Sequence, residues 1–166
     1  MIKATQPANS QQRTIFVCQG TGCVSGKSIE ITEAMKKAIA EKGLAGVEVD
    51  FTGCYGFCEQ GPVAIVEPEG IFYAHVAQGD APEIIESHMV GGKPVERLYY
   101  KDPITGQPIP YHKDINFFSM QQRVILRNCG RINPERIEDY IATGGYESLK
   151  KVLKEMTPLQ VIDEIK

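Results

Sequence analysis

The 166-residue sequence has no apolar run approaching the roughly 18 residues of a membrane-spanning helix. Its polar start, MIKATQPANSQQRT, has no apolar h-region of the kind an export signal carries. Both absences point to a cytoplasmic protein. A Lys/Arg-rich block is also missing and the formal net charge is −3, which argues against nucleic acid or an anionic membrane surface as the main partner. No internal repeat is found, which removes solenoids and propellers. No Cys-x-x-Cys occurs, so a thioredoxin-type dithiol is the weakest reading of the cysteines. No histidine stands beside a cysteine pair, as Rieske ligation would require.

What the chain does have is five cysteines, four of them in two groups. In a reducing compartment clustered cysteines more often bind metal or do redox work than form disulfides. Four residues separate Cys18 from Cys23, thirty separate Cys23 from Cys54, and three separate Cys54 from Cys58. Two loop-borne thiolate pairs suit a pair of tetrahedral irons or a single zinc. Zinc more often takes tight two-residue knuckles, so the spacing favours iron–sulfur and leaves zinc and reduced structural or redox thiols open. Glycines 20, 22, 53, 56 and 61 let the backbone bend around a cluster and aim N–H groups at its sulfurs.

The stretch CQGTGCVSGKS also ends like a phosphate-binding loop, at Gly26-Lys27-Ser28. Five residues before Gly26, where that motif needs a small residue, stands Thr21. A helix start with a surface lysine explains the triplet better. Cys129 has no partner left and reads as a small buried or half-buried thiol. His75 and His88 read as packed or surface residues.

Hydrophobic periodicity gives an order βαβββα. Residues 14–17 form a short buried strand, and Ile31, Ala34, Met35, Ala38 and Ile39 a helix stopped by Gly43. Val47, Val49 and Phe51 alternate as a second strand, and residues 62–76 read as a hairpin turning at Pro68 to Gly70. Asp80 and Glu83 form a capping-box pattern for a helix that carries Ile84, Ile85, His88 and Met89. The pattern predicts an α/β, thioredoxin-like layer whose two cysteine loops leave one sheet edge.

The division expected is a polar tail over 1–13, the α/β domain over 14–92, a Pro- and Gly-rich linker or arm over 93–120, and a further segment over 121–166. Tyr99-Tyr100 and Phe117-Phe118 would anchor the arm, with a partner interface as the alternative reading. Residues 122–126 are expected as a strand, followed by helices over 134–141, 147–156 and from Pro158 onward behind a Thr157 cap. Leu149, Val152, Leu153 and Met156 make an apolar stripe that should pack on something beyond this chain.

Residues 14 to about 98, with VCQGTGC and GCYGFCEQGPVAIVEPEGIFYAHV, resemble the thioredoxin-like 2Fe-2S ferredoxins. That family occurs as the small subunit of complex I and fused to the flavin subunit of NAD-linked and electron-bifurcating hydrogenases. The resemblance implies a 2Fe-2S cluster on Cys18, Cys23, Cys54 and Cys58. RVILRNCGRINPERIEDYIATGGYESLKKVLKEMTPLQVIDEIK is similar to the segment that opens the flavin domain of the fused form. It implies FMN and NAD(P) for the parent subunit, with no flavin, nicotinamide or complete substrate site in these residues. The partners expected are other iron–sulfur and flavin subunits of an oxidoreductase complex, and the function is one-electron transfer within it. The potential should be low, near the plant-type value of about −400 mV. A structural zinc module for docking or assembly is the alternative.

Overall fold

The computed structural model describes residues 12–166, so residues 1–11 of the expected polar tail lie outside it; Arg13 already belongs to the first strand. The chain divides into two compact units, Met1–Arg131 and Ile132–Lys166.

The first unit is built on a four-stranded sheet in the order β2-β1-β3-β4. Strand β1 (Arg13–Cys18) pairs in parallel with β2 (Val47–Thr52) and antiparallel with β3 (Ala64–Glu67), which pairs antiparallel with β4 (Ile71–Tyr73). Alternation along the strands sorts the side chains onto two faces. Ile15, Val17, Val66 and Tyr73 go to one core, and Ile65 and Phe72 to the other.

Two helical elements connect the parallel strands, the short α1 (Thr21–Ser25) and α2 (Ser28–Lys42). Helix α2 buries Ile31, Met35 and Ala38 in the first core. It ends where Gly43 turns left-handed at φ 59°, letting Leu44 N–H close back on the Ile39 carbonyl at 3.3 Å.

The helix after the hairpin differs from expectation at its start. Asp80 accepts a hydrogen bond from Ala77 N–H at 2.8 Å and pairs with Arg97 at 2.6 Å, so it stabilises a 3₁₀ turn (Gln78–Asp80) three residues earlier than the Asp80–Glu83 pattern implied. The segment continues as α3 (Ala81–Glu83) and widens into π-helical turns over Ile84–Val90, which bury Ile84, Ile85, His88 and Met89.

Residues 93–120, expected as a linker or arm, lie along the sheet. Ala74 N–H donates to the Leu98 carbonyl at 2.8 Å and Phe72 N–H to the Pro110 carbonyl at 2.7 Å, beside β4. A short antiparallel pair, β5 (Tyr100–Lys101) with β6 (Pro108–Ile109), and one helical turn, α4 (Asn116–Ser119), follow. Tyr100 and Ile115 are buried in the second core. Phe117 stacks on Phe57 with ring centroids 4.6 Å apart, and Phe118 meets the same ring edge-on at 5.4 Å. The aromatic pairs therefore do anchor the arm. This face of the sheet is closed by the arm, as the other is closed by helices.

The strand expected over 122–126 does not form. That stretch is turn-like, with Val124, Ile125 and Leu126 exposed: the apolar run finds no strand to pair with.

In the second unit, Asn133 Oδ1 accepts from Glu135 N–H at 2.9 Å and α5 begins at Ile137 (Ile137–Ala142). Helix α6 (Glu147–Glu155) and α7 (Pro158–Ile165) follow. Thr157 and Gln160 form the expected capping box, with Thr157 N–H bonded to Gln160 Oε1 at 2.8 Å. Leu149, Leu153, Leu159, Ile162 and Ile165 remain exposed.

Candidate metal centre

Parallel pairing of β1 with β2 sets Cys18 opposite Thr52, so the chain leaves both strands at one edge and runs into the two cysteine loops there. Cys18 ends β1 and Cys23 lies within α1; Cys54 lies in the turn after β2, and Cys58 opens a 3₁₀ turn, Cys58–Gln60. Cys18 and Cys23 are buried, whereas Cys54 and Cys58 are exposed. The two loops interlock through glycine. A Cβ at Gly20 would lie 2.9 Å from Cys54 Cβ and 3.0 Å from its Sγ, and one at Gly61 would lie 2.9 Å from Cys23 Sγ. At Gly22 it would come within 3.4 Å of Cys58 Sγ. Each pair thus rests against a position where only hydrogen leaves room for sulfur.

Backbone donors point inward. Gly20 N–H donates to Cys18 Sγ at 3.5 Å and Gly56 N–H to Cys54 Sγ at 3.2 Å. Cys18 is pushed down to about 6, first by the Cys23 thiol donating to it, against burial and with help from the Gly20 and Tyr55 N–H groups. Cys23, the proton holder of that pair, is pushed up by the same bond and by burial. Burial also raises Cys54.

One contributor carried no signal in the sequence. Tyr55, buried directly after Cys54, donates its hydroxyl to the Gly130 carbonyl at 2.9 Å, while Gly130 N–H donates to Thr52 Oγ1 at 2.9 Å. The second loop is thereby clamped to a segment some seventy-five residues away. Gly130 sits at φ 89°, and a Cβ there would fall 2.1 Å from the Tyr55 ring. No local motif links the tyrosine to the glycine. Cys129 is half-buried next to this clamp, its Sγ 3.8 Å from where a Cβ on Gly53 would stand. His88 is buried with Tyr73; His75 is exposed, and its backbone N–H donates to the Gln60 carbonyl at 2.9 Å, in the turn that Cys58 opens.

Residues 4–89 match the family model for thioredoxin-like 2Fe-2S ferredoxins, more than half of the chain. The chain belongs to that family. A 2Fe-2S ferredoxin of Clostridium pasteurianum is 41% identical over 93 residues, covering 51% of this chain and 91% of that one. The structure of a cysteine-to-serine variant of the thioredoxin-like 2Fe-2S ferredoxin from Aquifex aeolicus is 31% identical with a TM-score of 0.50, covering 54% of this chain and 99% of that one. NADP-reducing hydrogenase subunit HndC of Solidesulfovibrio fructosivorans is 59% identical over 46 residues, 28% of this chain and 9% of that subunit. The cofactor of this ferredoxin is therefore a 2Fe-2S cluster and its role is electron transfer.

The residues present fit that group. The Cys18 thiol interacts with Cys23 of its own pair and with Cys54 of the other. A two-iron cluster asks for two thiolate pairs facing each other, with N–H donors on sulfur. Paired cysteines, glycine clearances and inward amides meet that description.

Proposed function

We propose that Cys18, Cys23, Cys54 and Cys58 hold the 2Fe-2S cluster, and that this ferredoxin passes single electrons within a multisubunit NAD(P)H-linked, flavin-dependent oxidoreductase of the electron-bifurcating hydrogenase type. The observation that carries the ligand assignment is the convergence of two cysteine pairs at one sheet edge, interlocked through Gly20, Gly22 and Gly61. The bound cluster supplies a centre that gains and loses one electron. The chain does the rest: buried Cys18 and Cys23 fix the inner side in a dry environment, and the exposed Cys54–Cys58 turn forms the side facing solvent. Electron exchange with a partner runs through that turn, since tunnelling favours the shortest protein path. The amides of Gly20 and Gly56 stabilise negative charge on sulfur and raise the potential, while burial of Cys18 and Cys23 lowers it.

The hydrogenase setting is supported by the match to HndC and by the resemblance of residues 121–166 to the opening of a flavin domain. In that setting the partners are iron–sulfur and flavin subunits, and FMN and NAD(P) act in the parent assembly. Protein purified anaerobically should contain about two irons and two acid-labile sulfides per chain. Cys54→Ala should lose its visible absorbance and Cys129→Ala should keep it. Stoichiometric zinc without iron, or equal bleaching of both variants, would overturn the assignment.

A further inference from the structure

A second concave site lies beside the cluster loops. The cavity, about 710 Å³, is floored by Phe16 and Ile65 on the arm-covered face of the sheet and walled by Tyr55 and Phe118. That volume falls within the roughly 300–1,000 Å³ of small-molecule pockets. Its charge is opposite to that of the chain. Lys113, Arg123, Arg127 and Arg131 line it, against Glu67 as the one carboxylate in the lining, whereas the whole chain carries a net −3.

Arg123 is held in place, half-buried, with its guanidinium 5.0 Å over the Phe118 ring and a hydrogen bond to the Tyr55 carbonyl at 3.2 Å. Lys113, Arg127 and Arg131 are exposed, and among the described residues none of the three forms an ion pair. Cations converging on one apolar-floored cavity without carboxylate partners repel each other, a cost that an incoming polyanion relieves. Guanidinium forks match phosphate oxygens two at a time.

We propose that this cavity binds a small phosphate-bearing organic molecule, its phosphates on Arg127, Arg131 and Lys113 and its organic part over Phe16 and Ile65. The Walker-like triplet at Gly26 plays no part; the site is made of side-chain cations and has no phosphate-cradling loop. The proposal stands apart from the cluster assignment, because none of its residues is a cysteine of the two pairs.

Isothermal titration of the full chain at low salt tests it, with ADP, pyrophosphate, adenosine and a hexaglutamate peptide as separate probes. Visible absorbance of the same samples reports the cluster independently. ADP and pyrophosphate should bind in competition and adenosine should not bind. The double variant Arg127→Gln/Arg131→Gln, which changes two exposed side chains, should weaken ADP at least tenfold while leaving the absorbance unchanged. Absence of ADP binding at millimolar concentration, binding of adenosine alone, pyrophosphate binding without ADP, or an undiminished affinity in the double variant would each overturn the proposal. Preference for hexaglutamate over ADP would overturn it in favour of an acidic protein segment.

Discussion

His88 shows how a buried titratable group ties this fold to pH. Its Nδ1 and the Tyr73 hydroxyl share a hydrogen bond at 2.8 Å, and that hydroxyl accepts Val95 N–H at 3.0 Å, so the ring is held in the interior. Burial pushes His88 down to about 4. In the unfolded chain it would titrate near its ordinary 6.5. Between those values the unfolded state binds more protons, so the stabilisation is complete above about pH 6.5 and is lost as the pH falls toward about 4. The amount at stake across that interval is on the order of 3 kcal/mol. Urea unfolding at pH 7 and pH 4.5 should therefore show a larger acid loss in the native chain than in His88→Gln, whose side chain does not titrate. Equal losses would mean that His88 is not the responsible group. At the cluster loops the expected effect is steric. Gly61→Ala places its Cβ 2.9 Å from Cys23 Sγ and 3.1 Å from the Cys58 carbonyl, and should lower iron content per chain well below that of the native protein. Full iron occupancy with an unchanged spectrum would show that the clearance is dispensable. These sites differed in how far they could be read in advance. The cysteines and glycines stand close together in sequence and follow a spacing that chemistry demands, whereas the Tyr55–Gly130 clamp joins residues with no shared period or motif.

Among the elements, those with a strong local pattern match the structure best. The alternation of Val47, Val49 and Phe51, the helical spacing of Ile31, Met35 and Ala38, and the Thr157–Gln160 cap each act over a few residues, and each element formed where its pattern lay. The Asp80–Glu83 box was displaced because Asp80 had a stronger use, bonding Ala77 N–H and Arg97. The packing of residues 93–120 could not be read from periodicity at all. Their single buried positions, Val95, Leu98, Tyr100 and Ile115, are spaced to fit a sheet surface built elsewhere in the chain. Ile115, 1% exposed under the aromatic cluster, tests how firmly the arm is fixed. Ile115→Ala should cost about 2–5 kcal/mol in chemical denaturation. A loss below about 1 kcal/mol would show that the site collapses around the truncation or that the arm lies loosely on the core.

For the molecule as a whole, the two compact units place the natural cleavage point near Arg131. Brief trypsin treatment should leave a coloured core ending close to that residue and release the helices of Ile132–Lys166, whose apolar side chains are largely exposed. Cleavage first within 93–98, with colour retained, would mean that the arm's backbone bonds to Phe72 and Ala74 are not maintained in solution. Among the described residues no helix is long and apolar enough to cross a membrane. The hydrogen bonds from Phe72 and Ala74 to the arm also govern how the protein behaves at high concentration. A sheet whose last strand offers unpaired amides is a template for another chain, and self-association by strand addition begins at such a margin. Here the arm occupies that margin from within the same molecule. A chain ended after Leu98 would leave Phe72 N–H without its Pro110 acceptor and uncover the apolar second core, so light scattering should rise steeply with its concentration while the full chain stays monodisperse.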